Sequence, residues 1–213
     1  MNSLFRLIGS LVLLIGANQV LAAGDSEAGK AKAAVCAACH GVEGISASPD
    51  FPHLAAQVPG YIARQLKAFK TGSRINALMT GQVAALSDQD MADLDAYFSS
   101  KPAVESVVKT ADVQALVGDI DPVELFAKGE KLYRGGDAKR SIAACMGCHG
   151  PAGTGIPSQY PRISGQSAKY LHSQLLAFKA GERTDDRDIM NSIAFRLSTE
   201  EIGALSLFLQ GLH

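Results

Sequence analysis

Sliding this 213-residue chain along itself by 109 positions lays Cys36, Cys39 and His40 on Cys145, Cys148 and His149. The same offset pairs Pro52 with Pro161, Gln57 with Gln166, Tyr61 with Tyr170, Gln65 with Gln174, Phe69 with Phe178, Gly72 with Gly181 and Arg74 with Arg183. Two further residues then enter the second copy, and at an offset of 111 Met79 meets Met190, Leu86 meets Leu197, Ser87 meets Ser198 and Leu94 meets Leu205. Self-similarity of this extent reads as one structural unit used twice, so the chain should form two small domains and not one large one. The expected division is a leader at 1–22, a first domain at 23–100, a connector at 101–120 and a second domain at 121–213.

Apolar spacing inside each copy is helical and strands are hard to find, so the fold class is all-α with three or four short helices per domain. A small-residue helix is expected over about 26–38, running into the first cysteine motif. Its counterpart opens at Asp121-Pro122-Val123-Glu124, where Asp caps, Pro suits the first helical position and Glu closes the box. Middle helices over about 60–70 and 169–179 each end at a glycine, Gly72 or Gly181, suited to a left-handed position. The last helices begin at the capping boxes Ser87-Asp88-Gln89-Asp90 and Ser198-Thr199-Glu200-Glu201. The connector holds Pro102 and several valines but lacks the Gly/Ser richness of a flexible tether, which predicts an ordered linker.

Residues 1–22 read as a cleavable signal peptide, with Arg6 in the n-region, an apolar run from Leu7 to Ile15 and Val20-Leu21-Ala22 before the cut. The run is broken by Gly16, Asn18 and Gln19, short of the ~20 residues a spanning helix needs. Periplasmic export follows as an expectation. Residues 23–100 carry six basic and eight acidic side chains and residues 101–213 carry thirteen of each. A near-neutral chain has no basic field for nucleic acid, so that partner class is excluded. Protein partners should dock on an apolar patch with modest salt dependence.

Cys36-Ala37-Ala38-Cys39-His40 and Cys145-Met146-Gly147-Cys148-His149 are both C-x-x-C-H. Two thiols one helical turn apart can each add to a vinyl group on one porphyrin edge, and the adjacent imidazole then faces the iron. The other readings of such residues are a thioredoxin-like dithiol and two halves of a zinc site. The first expects a βαβ context, and the second expects the pairs to converge on one ion, whereas each motif sits in its own copy. With haem bound, Met79 and Met190 are the candidate second axial ligands, because they alone among five methionines recur at matching places, each before a helix cap. The competing role for them is core gap-filling. A His/Met pair fills both axial positions, which argues against catalysis at iron and for electron transfer at a raised potential.

Second-sphere candidates also come in pairs. Pro52 and Pro161 lie twelve residues after a motif histidine and could offer a carbonyl to its N–H. Tyr61, Tyr170, Arg74 and Arg183 could hydrogen-bond haem propionates, against the alternatives of surface arginine and half-buried tyrosine. His53, His172 and His213 do not repeat and are expected to be solvated.

The chain resembles the dihaem cytochrome c4 family, and more loosely all small class I cytochromes c. Residues that carry the likeness include Ala23-Gly24-Asp25, Phe51-Pro52, Tyr97-Phe98-Ser99-Ser100, Gly129-Glu130-Lys131-Leu132-Tyr133-Arg134-Gly135-Gly136 and Gln210-Gly211-Leu212-His213. The resemblance implies two tandem class I cytochrome c domains about a pseudo-twofold axis, with two covalently attached c-type haems near each other at the interface. It makes Cys36, Cys39, His40 and Met79 the first haem's residues and Cys145, Cys148, His149 and Met190 the second's. It further implies an electron carrier between the cytochrome bc1 complex and a terminal oxidase, in some members with peripheral membrane association. The alternative is the cytochrome subunit of a dehydrogenase, such as a sulfide-oxidising flavocytochrome. A dihaem peroxidase would need one iron without Met.

Overall fold

The computed structural model describes residues 23–118, 120–185 and 187–213, so the leader assigned to 1–22 lies outside the described residues. The first copy holds α1 (Ser26–Lys32), α2 (Ala37–His40), α3 (Tyr61–Thr71), α4 (Ala77–Val83) and α5 (Asp88–Ser99). The connector holds α6 (Thr110–Val117). The second copy holds α7 (Pro122–Gly135), α8 (Met146–His149), α9 (Ala168–Ala180), α10 (Ile189–Arg196) and α11 (Thr199–Gln210). Among the described residues the extended pairing is limited to two isolated bridges, Asp137 with Ile142 and Ile156 with Tyr160. The all-α expectation holds.

Local chemistry explains the helix ends. Asp121 accepts from Val123 N–H ahead of Pro122, and Ser87 and Ser198 form full capping boxes with Asp90 and Glu201. Gly72 and Gly181, at φ 78° and 73°, close α3 and α9 in the left-handed region. The structure differs from the expectation in two places, and the connector, expected to be ordered, is ordered. The helix expected over 26–38 breaks after Lys32 into a 3-10 turn at Ala33–Val35, because Cys36 N–H bonds to Ala33 O three residues back and re-aims the chain into α2. The segments carrying Met79 and Met190, where no helix is expected, are the helices α4 and α10, so each copy has five α-helices among the described residues and not three or four. The connector contains a helix.

Each copy closes where its first and last long helices cross at a glycine. A Cβ on Gly29 of α1 would stand 2.0 Å from Asp93 O of α5, and one on Gly129 of α7 would stand 2.3 Å from Ala204 O of α11. The partners are backbone atoms in a close-packed core and cannot rotate away. Gly29→Ala or Gly129→Ala must therefore push the helices apart, with an expected loss of roughly 1–3 kcal/mol or more, read as a lowered thermal midpoint with haem content unchanged.

Beneath these crossings lie two cores. The first gathers Ile62, Leu66, Phe69, Val83, Met91, Leu94 and Phe98, and the second Leu132, Tyr133, Leu171, Leu197, Ile202, Leu205 and Phe208. Helix α6 covers a third cluster, burying Val113 against Leu125, Ala168, Ala204 and Leu207 of the second copy. Gln210 Nε2 donates to Val107 O at 3.1 Å and to Asp112 Oδ2 at 3.0 Å, and Ser106 Oγ donates to Gly165 O at 2.7 Å. The connector is thus a strap laid across the second domain.

Candidate functional site

The two cysteine motifs adopt the same geometry. Cys36 and Cys145 cap the single-turn helices α2 and α8, and His40 and His149 N–H groups bond back to Cys36 O and Cys145 O, both at 2.9 Å. The turns end at Gly41 and Gly150, with φ 77° and 81°; a Cβ on Gly41 would lie 2.0 Å from Ile45 O. None of the four cysteines is paired in a disulfide. Before a haem is attached, burial pushes the Cys145 thiol up to about 11 and raises that of Cys36 as well.

Both motif histidines are buried and held identically. His40 Nδ1 donates to Pro52 O and His149 Nδ1 to Pro161 O, each at 2.9 Å. A carbonyl can only accept, so Nδ1 carries the proton and Nε2 is left as the free base. Burial depresses both histidines and outweighs the carbonyl bond, keeping the rings neutral.

Met79 and Met190 stand in the first turn of their helices. Asn76 Oδ1 accepts from Met79 N–H at 3.1 Å, and Asp185 Oδ2 accepts from Met190 N–H at 2.7 Å. Met79 and Cys36 pack against the same first core, and Cys145 against the second. Val35, next to Cys36, and Ile75 and Leu78, which flank the start of α4, stand 70%, 81% and 68% exposed. In the second copy Asn191 follows Met190, and its Nδ2 donates to Phe178 O at 2.9 Å and Arg183 O at 2.7 Å, tying α10 to α9.

The tyrosines and arginines meet between the two copies. Arg74 reaches Gln65 Oε1 at 2.6 Å in its own copy, and Gln174 Oε1 at 2.8 Å and Tyr170 Oη at 3.0 Å in the other. Arg183 mirrors it, reaching Gln174 Oε1 at 2.7 Å, Gln65 Oε1 at 3.3 Å and Tyr61 Oη at 3.1 Å. Every member exchanges with its counterpart 109 residues away, which makes the interface pseudo-twofold. Arg74 and Arg183 arrive by the same route, their N–H groups bonding to Ala68 O and Ala177 O just past the glycine caps. Burial opposes ionisation of Tyr170, but the two guanidiniums outweigh it and hold the phenol below its usual value. Among the described residues neither guanidinium is in an ion pair, so two positive charges face only neutral acceptors.

Sequence reasoning missed the glutamines Gln65 and Gln174, which join the cluster, and Gln57 and Gln166, which bridge the copies; repetition at the 109 offset was their signal. The expectation of solvated histidines fails twice. His53 Nδ1 accepts from Ser46 N–H at 3.0 Å, and His172 Nε2 is buried without a partner.

The residues fit covalently held haem. Each turn presents two thiols and a neutral imidazole whose orientation is fixed, a methionine packs on the same core as the first motif, and an unpaired guanidinium couple suits propionate carboxylates. Among the described residues no group of three or more His, Cys, Asp or Glu side chains converges to hold a metal ion, so the two motifs do not assemble one zinc site.

The family model described as Cytochrome c matches residues 26–101 and again 126–213. Over 212 residues the chain is 45% identical to cytochrome c4 of Pseudomonas aeruginosa, covering 98% of this chain and 99% of that one. It is 37% identical over 176 residues to the thiosulfate dehydrogenase electron acceptor of Stutzerimonas stutzeri, covering 82% and 77%. The crystal structure of reduced recombinant cytochrome c4 from Pseudomonas stutzeri superimposes with a TM-score of 0.80 at 42% identity, covering 90% of this chain and all of that one.

Proposed function

The chain belongs to the cytochrome c4 family, a dihaem electron-transfer cytochrome with two covalently attached c-type haems, and from that premise we propose that it is a periplasmic carrier moving electrons from the cytochrome bc1 complex to a terminal oxidase. Cys36 and Cys39 hold the first haem and Cys145 and Cys148 the second. His40 with Met79, and His149 with Met190, would ligate the two irons. Each haem supplies one-electron Fe(II)/Fe(III) cycling. The protein's part is to hold that chemistry still: Pro52 and Pro161 fix the imidazole planes, and α4 and α10 carry the methionines that would complete the iron coordination. Arg74, Arg183, Tyr61 and Tyr170 bind the propionates between the domains. Residues 1–22 are removed on export, and membrane association, where it occurs, is peripheral; no helix among the described residues is long and apolar enough to cross a membrane.

The His–Pro carbonyl bond at 2.9 Å in both copies carries this reading, since it orients each ring beside its cysteine pair and leaves a neutral Nε2 free to meet an iron. The oxidised protein should show the weak ~700 nm sulfur-to-iron band at the strength of two haems. Half that strength removes one Met ligand, and its absence removes both. A second reading, electron acceptor of a sulfur-compound dehydrogenase, is supported by the 37% identity to a thiosulfate dehydrogenase electron acceptor. Reduction rates by purified bc1 complex and by a thiosulfate-oxidising enzyme, compared on one preparation, separate the two.

A further inference from the structure

Each motif histidine is supported by a peptide unit whose other end is held by the opposite domain. In the first copy His40 Nδ1 donates to Pro52 O, and the N–H of that same peptide unit, on His53, donates to Gln166 Oε1 at 2.8 Å. Gln166 Nε2 returns to His53 O at 2.9 Å. In the second copy His149 Nδ1 donates to Pro161 O, Arg162 N–H donates to Gln57 Oε1 at 2.7 Å, and Gln57 Nε2 returns to Arg162 O at 3.1 Å. Both glutamines are buried, at 8% and 7% exposure. Their orientation is fixed, because each Oε1 also accepts from the next residue's N–H, Val58 or Ser167, at 2.9 Å. The bridges use only the backbone of His53 and Arg162, which is why those side chains differ while the glutamines recur.

We propose that Gln57 and Gln166 are positioning residues that act across the interface, each setting the reduction potential of the haem held in the other domain. The inference rests on the reading of His40 and His149 as axial ligands. An acceptor on a peptide N–H polarises the whole amide and draws negative charge onto its oxygen. Pro52 O and Pro161 O thereby become stronger acceptors, the imidazoles become more basic, and the oxidised iron is favoured. Loss of a glutamine amide relaxes this and raises the potential in the opposite copy. Separation of the domains would raise both.

The test uses Gln166→Met and Gln57→Met in the full dihaem chain, with each haem followed by its own methyl resonances during a redox titration. Gln166→Met should raise the reduced-to-oxidised ratio of the first haem severalfold at fixed ambient potential and leave the second nearly in place, and Gln57→Met should do the reverse. A shift confined to the glutamine's own domain, an equal shift in both haems, or no shift overturns the proposal. Should a methionine variant fail to fold, Gln166→Glu keeps an acceptor on His53 N–H and makes it stronger. The first haem must then shift downward more than the second, and a rise overturns the idea. A parent protein without histidine-ligated low-spin iron would instead overturn the axial assignment.

Discussion

Cys145→Ala combined with Cys148→Ala is expected to halve the haem content and to unfold the second domain, with loss of about half the helical circular dichroism. A domain of ~90 residues buries too little of its own surface for a comfortable margin. In this one the cofactor-bearing turn is part of the core, since Cys145 and Met146 pack against the cluster of Leu132, Tyr133, Leu171 and Phe208. Where a bound group organises the core, its binding free energy is folding free energy, and typical domain stabilities of 5–15 kcal/mol leave nothing to spare once it is gone. The α6 strap should be lost with it, because its apolar face rests on Leu125, Ala204 and Leu207. The first domain should keep its haem, having a separate core. A double variant that retains full helicity with one haem would show that the second domain folds without its cofactor.

Most of the fold was legible because the constraint is local. The capping boxes at Ser87 and Ser198, the Pro122 start and the Gly72 and Gly181 stops each depend on residues within one turn, and all are where the sequence places them. What escaped depends on tertiary contact. The 109 offset does not relate α1 to α7, since Gly29 and Gly129 make equivalent crossings yet lie 100 residues apart. The nine extra residues between Gly129 and Cys145 form the 3-10 turn at Ala138–Arg140 and the Asp137–Ile142 bridge, which no periodicity announces. Helices α4 and α10 escaped because seven- and eight-residue helices draw little from propensity and are held by packing.

The candidate site divides the same way. Cysteines and histidines in a fixed spacing identify themselves, and the twelve-residue interval to Pro52 and Pro161 was enough to suggest the carbonyl bond. Gln57 and Gln166 could not be assigned in advance, since a buried glutamine that reads a backbone in another domain has no local signature.

Met190→Ala should open the second haem to external ligands while leaving its domain folded. A half-buried methionine truncated to alanine costs less than the ~2–5 kcal/mol of a fully buried one. The backbone of α10 does not depend on the thioether: Asn191 ties it to Phe178 O and Arg183 O, and Asp185 accepts from the N–H groups of Ile189 and Met190. With His149 still held by Pro161 on one side, the vacated side should accept carbon monoxide when reduced and support peroxidase turnover absent from the parent. The ~700 nm band should fall to about half. Met79→Ala should do the same at the first haem with a larger loss of order, because Thr80 stands where Asn191 does and bonds only within its own helix, to Asn76 O. A Met190→Ala protein that stays six-coordinate and low-spin, with no carbon monoxide binding, would place the sixth ligand elsewhere. Equal thermal midpoints for the two variants would remove the role given to Asn191.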